Sequence, residues 1–544
     1  MQITEYLYPV RCVDMTQGIK NAQTLLREKP VQIALDETDV CKICGGHIVL
    51  DFGRELSGGV RLLCHTASGD ARVRIRFGES YGEANAEPGE KGACNDHSPR
   101  DFYAALVDFS DLTFGQTGFR FVRLDFPEGV TIELKSVCAA FTHCGLPYTG
   151  DFACSDALVN EIYETARYTA HLCVQNDRIW DGVKRDRLVW IGDIYPEIKA
   201  LLYTYGGMDC MKNSLRFAMH TNPQPGWIQR MPSYTIWFVA ALYEYVYYTD
   251  DTAFLRECAD YLVSLGALFD DCVSDRGELL FNDKREKGKP VFLDWQTTNL
   301  PETEHGVSAL LKIVAQNGMY LCKKLRLPCD AFIRVAEKLG RRKIVKTNYK
   351  QITAMQSLSG ERDAAACAKE IVRGGAAGVS AFMSGFILSA AAKGGEERAA
   401  LTMCKEYYGG MLSRGATSFW EDFDIAWLTD SGRIDEPTPA GKKDLHGDFG
   451  KYCYTGFRHS LCHGWACGPA PYLVECVLGI RIEESGCRKI SVTPRLGDLT
   501  FARGSIATPY GKVTVRAEKD VRGKTVTHVD APAQIEAIVP QSAE

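Results

Sequence analysis

The chain has 544 residues, too many for one hydrophobic core, and is 45% hydrophobic and 24% charged, which predicts a water-soluble globular protein of two to four domains. Its formal net charge of −6 argues against a surface that neutralises nucleic-acid phosphates. No run of eighteen apolar residues is present to predict a membrane-spanning helix.

The opening segment, Met1 to Arg11, carries Glu5 and has no apolar signal core, so export by a cleaved leader is not expected. Met1 to Val40 gives no clear pattern. Cys41 and Cys44 have C-x-x-C spacing, but no second pair follows at zinc-site distance, and no metal is expected there. From about Gly46 to Thr142 the pattern has period two. Val73, Ile75 and Phe77 alternate with Arg72, Arg74 and Arg76, and Val122, Leu124 and Phe126 alternate with Arg123 and Asp125. Turns are expected at Ser57-Gly58-Gly59, Ser68-Gly69-Asp70 and Pro127-Glu128-Gly129. Together these predict a β-sandwich of roughly a hundred residues.

After Gly150 the period becomes helical. Ser155 and Asp156 are candidate N-caps for a stripe of Leu158, Ile162, Ala166, Thr169 and Cys173. Asp250-Asp251 opens a second stripe of Phe254, Cys258, Leu262, Leu265 and Phe269. Further helices are expected near 305–325, 361–373, 380–393 and 464–478. About a dozen helices joined by short loops predict an α/α toroid. Cys173, Cys258, Cys322 and Cys404 fall in these helices and read as small buried hydrophobes, which points to a reducing, cytoplasmic setting. Period two returns at Ile490–Val492, Phe501–Ile506 and Val513–Val515. The expected division is a β module over 1–149, helices over 150–478 and a smaller β module over 479–544.

The most informative stretch is W-D-G-V-K-R-D-R-L-V-W-I-G-D-I-Y-P-E, Trp180 to Glu197. Asp181, Asp186 and Asp193 crowd with Lys184, Arg185 and Arg187 around Trp180 and Trp190. A solvated charged face does not need the tryptophans, and a core segment does not tolerate the charges. A pocket for a carbohydrate wants both, because a sugar ring presents hydroxyls at its edge and C–H groups on its faces. The plainer readings are a helix start with surface ion pairs, a helix cap at Asp193 and a core packing role for Trp190.

This stretch resembles the signature of glycoside hydrolase family 78, the α-L-rhamnosidases, at Asp181, Arg185, Arg187, Leu188, Trp190, Gly192 and Asp193. Three later segments are similar to that family in the same order: F-L-D-W (Phe292 to Trp295), A-T-S-F-W-E (Ala416 to Glu421) and S-L-C-H-G-W-A-C-G (Ser460 to Gly468). The resemblance covers nearly the whole chain and implies a central (α/α)6 six-hairpin toroid flanked by an N-terminal and a small C-terminal β-sandwich. It implies an inverting exo-glycosidase that releases terminal α-L-rhamnose from a small glycoside. Asp186 would be the general acid and Glu421 the general base, with Asp181, Arg185, Trp190, Asp193, Asp294, Trp295, Trp420 and His463 as sugar contacts. Inversion needs the two carboxyls about 6.5–9.5 Å apart, so that water fits between them.

Asp186 departs from the family pattern, which most often has glutamate there. Asp181-Gly182-Val183 replaces its Asp-Cys-Pro opening, and a long charged stretch, Asp424 to His446, separates Glu421 from His463 and is given no assigned role. The alternatives are another exo-glycosidase or a phosphorylase on the same toroid, or a sugar-binding homologue with impaired catalysis. No metal, cofactor, nucleic acid or membrane partner is expected, and a homo-oligomer is left open.

Overall fold

The computed structural model describes residues 2–224, 226–281, 291–451 and 454–539. The first nine strands are β1 (Ile3–Leu7), β2 (Arg11–Met15), β3 (Ile19–Lys20), β4 (Cys41–Ile43), β5 (Gly46–Ala67), β6 (Arg72–Gly78), β7 (Asp101–Ala105), β8 (Ser110–Phe126) and β9 (Ile132–His143). They form one antiparallel hydrogen-bonded network, ordered β3-β4-β9-β5-β8-β6-β7, with β1 on β9 and β2 on β5. The alternation read from sequence holds: Val73, Ile75, Phe77, Val122 and Leu124 are buried on the inner face.

Ser57-Gly58-Gly59 is not a turn. It lies inside β5, which pairs with β8 and β9 around a bulge between Gly58 and Val60. A Cβ on Gly58 would stand 2.0 Å from the Ala140 carbonyl oxygen, and one on Gly59 would stand 2.4 Å from that of Gly115. The glycines are there because neighbouring backbones press against the strand, not because the chain reverses. The other two predicted turns do separate strands.

Between β9 and the next helix, Asp151–Cys154 forms β10, which pairs with a C-terminal strand. The helical region therefore begins after a strand that belongs to the other end of the chain. The first β module also carries the short helix α1 (Tyr81–Asn85); after β10, Asp156 caps α2 (Ala157–Leu172), accepting from the Leu158 and Val159 N–H groups. A short hairpin, β11 (Val174–Gln175) and β12 (Arg178–Ile179), leads into the charged stretch. The helices relevant to the site are α3 (Ile194–Tyr205), α4 (Asp209–Thr221) and α5 (Pro232–Thr249). The second predicted stripe is split at Cys258 into α6 (Thr252–Glu257) and α7 (Ala259–Asp271). There follow α8 (Thr303–Leu325), α9 (Asp330–Gly340), α10 (Lys350–Leu358), α11 (Ala364–Ile371), α12 (Ser384–Lys393), α13 (Glu397–Ser413) and α14 (Pro469–Tyr472). Six of them, α3, α5, α8, α10, α12 and α14, pack each on the next, and α14 returns to α3.

The C-terminal residues form two sheets. One is β10 with β15 (Phe501–Thr508), β16 (Gly511–Lys519) and β17 (Thr525–Asp530), and the other is β13 (Ile480–Ile482), β14 (Lys489–Val492) and β18 (Glu536–Ile538). Their inward residues Ile490, Val513 and Val515 join the same apolar core as the helices, whereas the first sheet encloses a core of its own. The 424–446 stretch is tied to the first β module: Tyr81 N–H donates to the Ile434 carbonyl (2.8 Å), Arg120 pairs with Asp435 (3.3 Å) and Ser80 Oγ meets His446 Nδ1 (2.8 Å).

Candidate functional site

Trp180 to Ile191 forms no regular element and is tied to itself. Asp181 N–H donates to the Leu188 carbonyl (2.9 Å), and Leu188 N–H donates back to Asp181 Oδ1 (2.8 Å). Within this knot Asp186 and Arg187 have left-handed φ of 55° and 53°, a costly conformation for residues with a Cβ. The loop is stitched to a remote segment by a bridge from Gly182 to His463 and by Gly464 N–H to the Asp181 carbonyl (2.8 Å). Gly192 lets the Tyr234 ring close in, since a Cβ there would lie 2.6 Å from it. Tyr234 then donates its hydroxyl proton to Asp193 Oδ1. Asp193 precedes α3 but makes no side-chain cap, so the capping alternative does not hold.

These ties bring Asp181, Arg185, Asp186, Trp190, Asp193, Trp295, Glu421 and His463 around one cavity of about 240 Å³, together with Met231, Tyr234, Phe292, Tyr454 and Trp465. A larger opening of about 790 Å³ beside Leu146, Val174 and Tyr205 gathers no comparable set of buried charges. The smaller cavity lies where the starts of α3 and α5 and the segment leading to α14 converge.

Arg185 is the hub. Its Nη2 donates to both oxygens of Glu421 at 2.5 Å, Nη1 to Asp186 Oδ1 (3.1 Å) and Nε to the Arg458 carbonyl (3.1 Å), while its plane lies 3.9 Å from the Tyr454 ring centre. One guanidinium thus stands between the two carboxyls. Arg187 turns away, donating to the Gln116 carbonyl (2.8 Å). Glu421 also accepts from Ser460 N–H (3.0 Å), and Trp465 Nε1 holds its backbone carbonyl (2.9 Å).

Burial pushes the Glu421 carboxyl up, but Arg185, aided by His463 and His459, outweighs burial and holds it well below the usual carboxylate range. Glu421 is therefore an anion. Burial pushes Asp193 up to about 8, and burial with the neighbouring Asp193 and Asp186 pushes Asp181 well above its ordinary value. His463 Nε2 stands 3.8 Å from both Asp181 and Asp193 and 3.9 Å from Glu421. Burial drops it to about 4, so it is a neutral ring. Asp186 is the most open of the four carboxyls, 15% exposed against 3% for Glu421, and accepts from Trp190 Nε1 (3.1 Å).

Two expected contacts do not line the cavity. Asp294 is buried, and burial pushes it up to about 7. Trp420 packs in the core against Phe423, and the tryptophan that secures Glu421 is Trp465. Tyr234 and Tyr454 were not read from sequence. Tyr234 sits in an aromatic-rich helix where its spacing carries no signal, and Tyr454 has no motif around it. Asp181, Asp193 and His463 could in principle gather a metal ion, but each already faces other polar groups of the cavity, and nothing further points to an ion there.

Residues 147–295 match the family model of the bacterial α-L-rhamnosidase six-hairpin glycosidase domain, and residues 479–544 match that of the bacterial α-L-rhamnosidase C-terminal domain. No curated protein matches the sequence significantly. Among solved structures, the GH78 family rhamnosidase of Bacillus sp. GL1 is similar at TM-score 0.73 and 21% identity, over 96% of this chain and 56% of that one. The α-L-rhamnosidase of Dictyoglumus thermophilum has TM-score 0.73 and 15% identity, over 99% and 59%. The rhamnosidase of Klebsiella oxytoca with rhamnose bound has TM-score 0.65 and 18% identity, over 87% and 96%. At these identities the structural likeness speaks for the fold. The chain spans little more than half the length of the first two.

Proposed function

We propose, from the matches of residues 147–295 and 479–544 to the six-hairpin and C-terminal domain models of bacterial α-L-rhamnosidases, that the chain is an inverting exo-glycoside hydrolase releasing terminal α-L-rhamnose from small glycosides. The ring of six helices is read as the inner layer of an (α/α)6 toroid, and the β modules, divided near 149 and 478, as flanking sandwiches.

The observation that carries the reading is the placement of Asp186 and Glu421. They line one cavity and face the same guanidinium. Glu421, ionised and fixed by Arg185 and Ser460, is the base that takes a proton from water. Asp186, the more open carboxyl, is the acid that protonates the leaving oxygen. Its left-handed backbone repositions a side chain one carbon shorter than glutamate, at a site where misplacement costs about 10²-fold. Asp181, Asp193 and neutral His463 hydrogen-bond the sugar hydroxyls. Trp190, Trp295 and Phe292 wall its apolar faces, and Tyr234 fixes Asp193.

On an alkyl rhamnoside, Asp186→Asn and Glu421→Gln are each expected to lose about 10²–10⁴-fold in kcat, with the fold intact by circular dichroism. Retention of most turnover by either variant would remove its assignment. One feature favours a second reading, a sugar-binding homologue of low turnover. Arg185 occupies both Glu421 oxygens, and both Asp186 oxygens accept hydrogen bonds, whereas an acid must present a proton. Calorimetric binding of rhamnose with no turnover on any aryl rhamnoside would establish it.

A further inference from the structure

We propose that His97, carried by the first β module, is the proton partner of Asp186, returning to it the proton spent in each turnover. The inference rests on the reading of Asp186 as the general acid. His97 Nε2 lies 3.4 Å from Asp186 Oδ1 and 3.5 Å from Asp96 Oδ2. Its ring is 36% exposed, open to solvent on one side and to the acid on the other.

The loop is built to hold it there. His97 has a left-handed φ of 63°, a region in which histidine is enriched over most residues with a Cβ. Asn95 Oδ1 accepts from both Arg100 N–H and Asp101 N–H at 3.0 Å, and its Nδ2 donates to the Asp101 carbonyl (2.9 Å), closing the loop. Ser98 Oγ donates to the Gln116 carbonyl (2.6 Å), the same oxygen that receives Arg187 Nη1, so the His97 loop and the residue after Asp186 are docked on one atom. Asp96 pairs with Arg458, whose carbonyl receives Arg185 Nε. The charged groups facing the pair are thus Asp96 and Arg458 on the loop side, and Arg185, Glu421, Asp181, Asp193 and His463 on the cavity side.

An inverting turnover leaves Asp186 without the proton it gave to the leaving oxygen, while Glu421 holds one taken from water and loses it to solvent. The imidazolium of His97 then transfers its Nε2 proton to Asp186 Oδ1. The N–H bond breaks, the O–H bond forms, and the neutral ring regains a proton from solvent. Histidine is the side chain suited to such a relay near neutral pH. At 3.4 Å the two side chains are in ion-pair range and are not aligned as a hydrogen bond; contacts of this kind commonly tighten only when substrate binds.

The test compares an alkyl α-L-rhamnoside, whose poor leaving group needs the acid, with a nitrophenyl α-L-rhamnoside, which does not. His97→Ala is expected to lose at least about tenfold in kcat on the alkyl substrate, with KM and nitrophenyl turnover near wild type. Added imidazole should restore alkyl turnover. His97→Gln, which keeps a donor but cannot titrate, should behave like His97→Ala without rescue. Equal losses on both substrates, or no imidazole rescue, would overturn the relay. Asp186→Asn is the control. If it shows no leaving-group dependence, the acid assignment itself fails; if it does while both His97 variants do not, only the relay fails.

Discussion

Glu421 and Asp186 differ in ionic setting because one arginine treats them differently. Arg185 gives Glu421 two short contacts and Asp186 one longer contact. The folded-state value of Glu421 is depressed, so the stability it contributes is present above the ordinary carboxylate value of about 4.3 and is lost as pH falls further. Removing the guanidinium takes away the strongest influence opposing burial and raises that value. Arg185→Gln should therefore shift the acidic limb of kcat/KM to higher pH and, by stranding buried Glu421, cost about 3–5 kcal/mol of stability in denaturant titration. An unmoved acidic limb in a folded variant would show that Glu421 is not the base. The contiguous run from Asp181 to Asp193 was legible because charges and tryptophans share a short window. Tyr234 and Tyr454 were not, since the cavity is completed by single aromatics whose neighbours in sequence look like ordinary core.

Helix starts and stripes were readable where capping and periodicity coincide, as at Asp156 and Asp251. What misled was a glycine pair. Ser57-Gly58-Gly59 has turn composition, but these residues sit where β5 is squeezed between β8 and β9, and only the three-dimensional approach of Ala140 and Gly115 explains them. Gly58→Ala forces a backbone shift and should lower the unfolding free energy by about 1–3 kcal/mol or more. A variant as stable as wild type by thermal melting would mean that the strand is not so confined. The same limit hid β10, whose four residues become a strand only because β15, some 350 positions later, arrives beside them.

Across the whole molecule the first β module braces the segment that holds Glu421 rather than standing apart from it. Glu79 accepts from Ser460 Oγ (3.0 Å) and Leu461 N–H (2.5 Å), and Ser460 N–H in turn holds Glu421. Buried Lys184 joins Glu79 and Glu83 at 3.1 and 3.0 Å and also donates to the Phe457 and His459 carbonyls. Glu79→Gln should lower kcat and the melting temperature while KM stays near wild type, because the base moves and the sugar contacts do not. A normal kcat would separate the β module from catalysis.

The family resemblance was readable from four spaced motifs, whereas this bracing was not, because Glu79 lies in a strand-end segment with no catalytic pattern. The most direct measurement is proton NMR of the first rhamnose released from an aryl α-L-rhamnoside. Cooperation of Asp186 and Glu421 across one water predicts the β anomer first, equilibrating afterwards to the mixture. Initial appearance of the α anomer would contradict it.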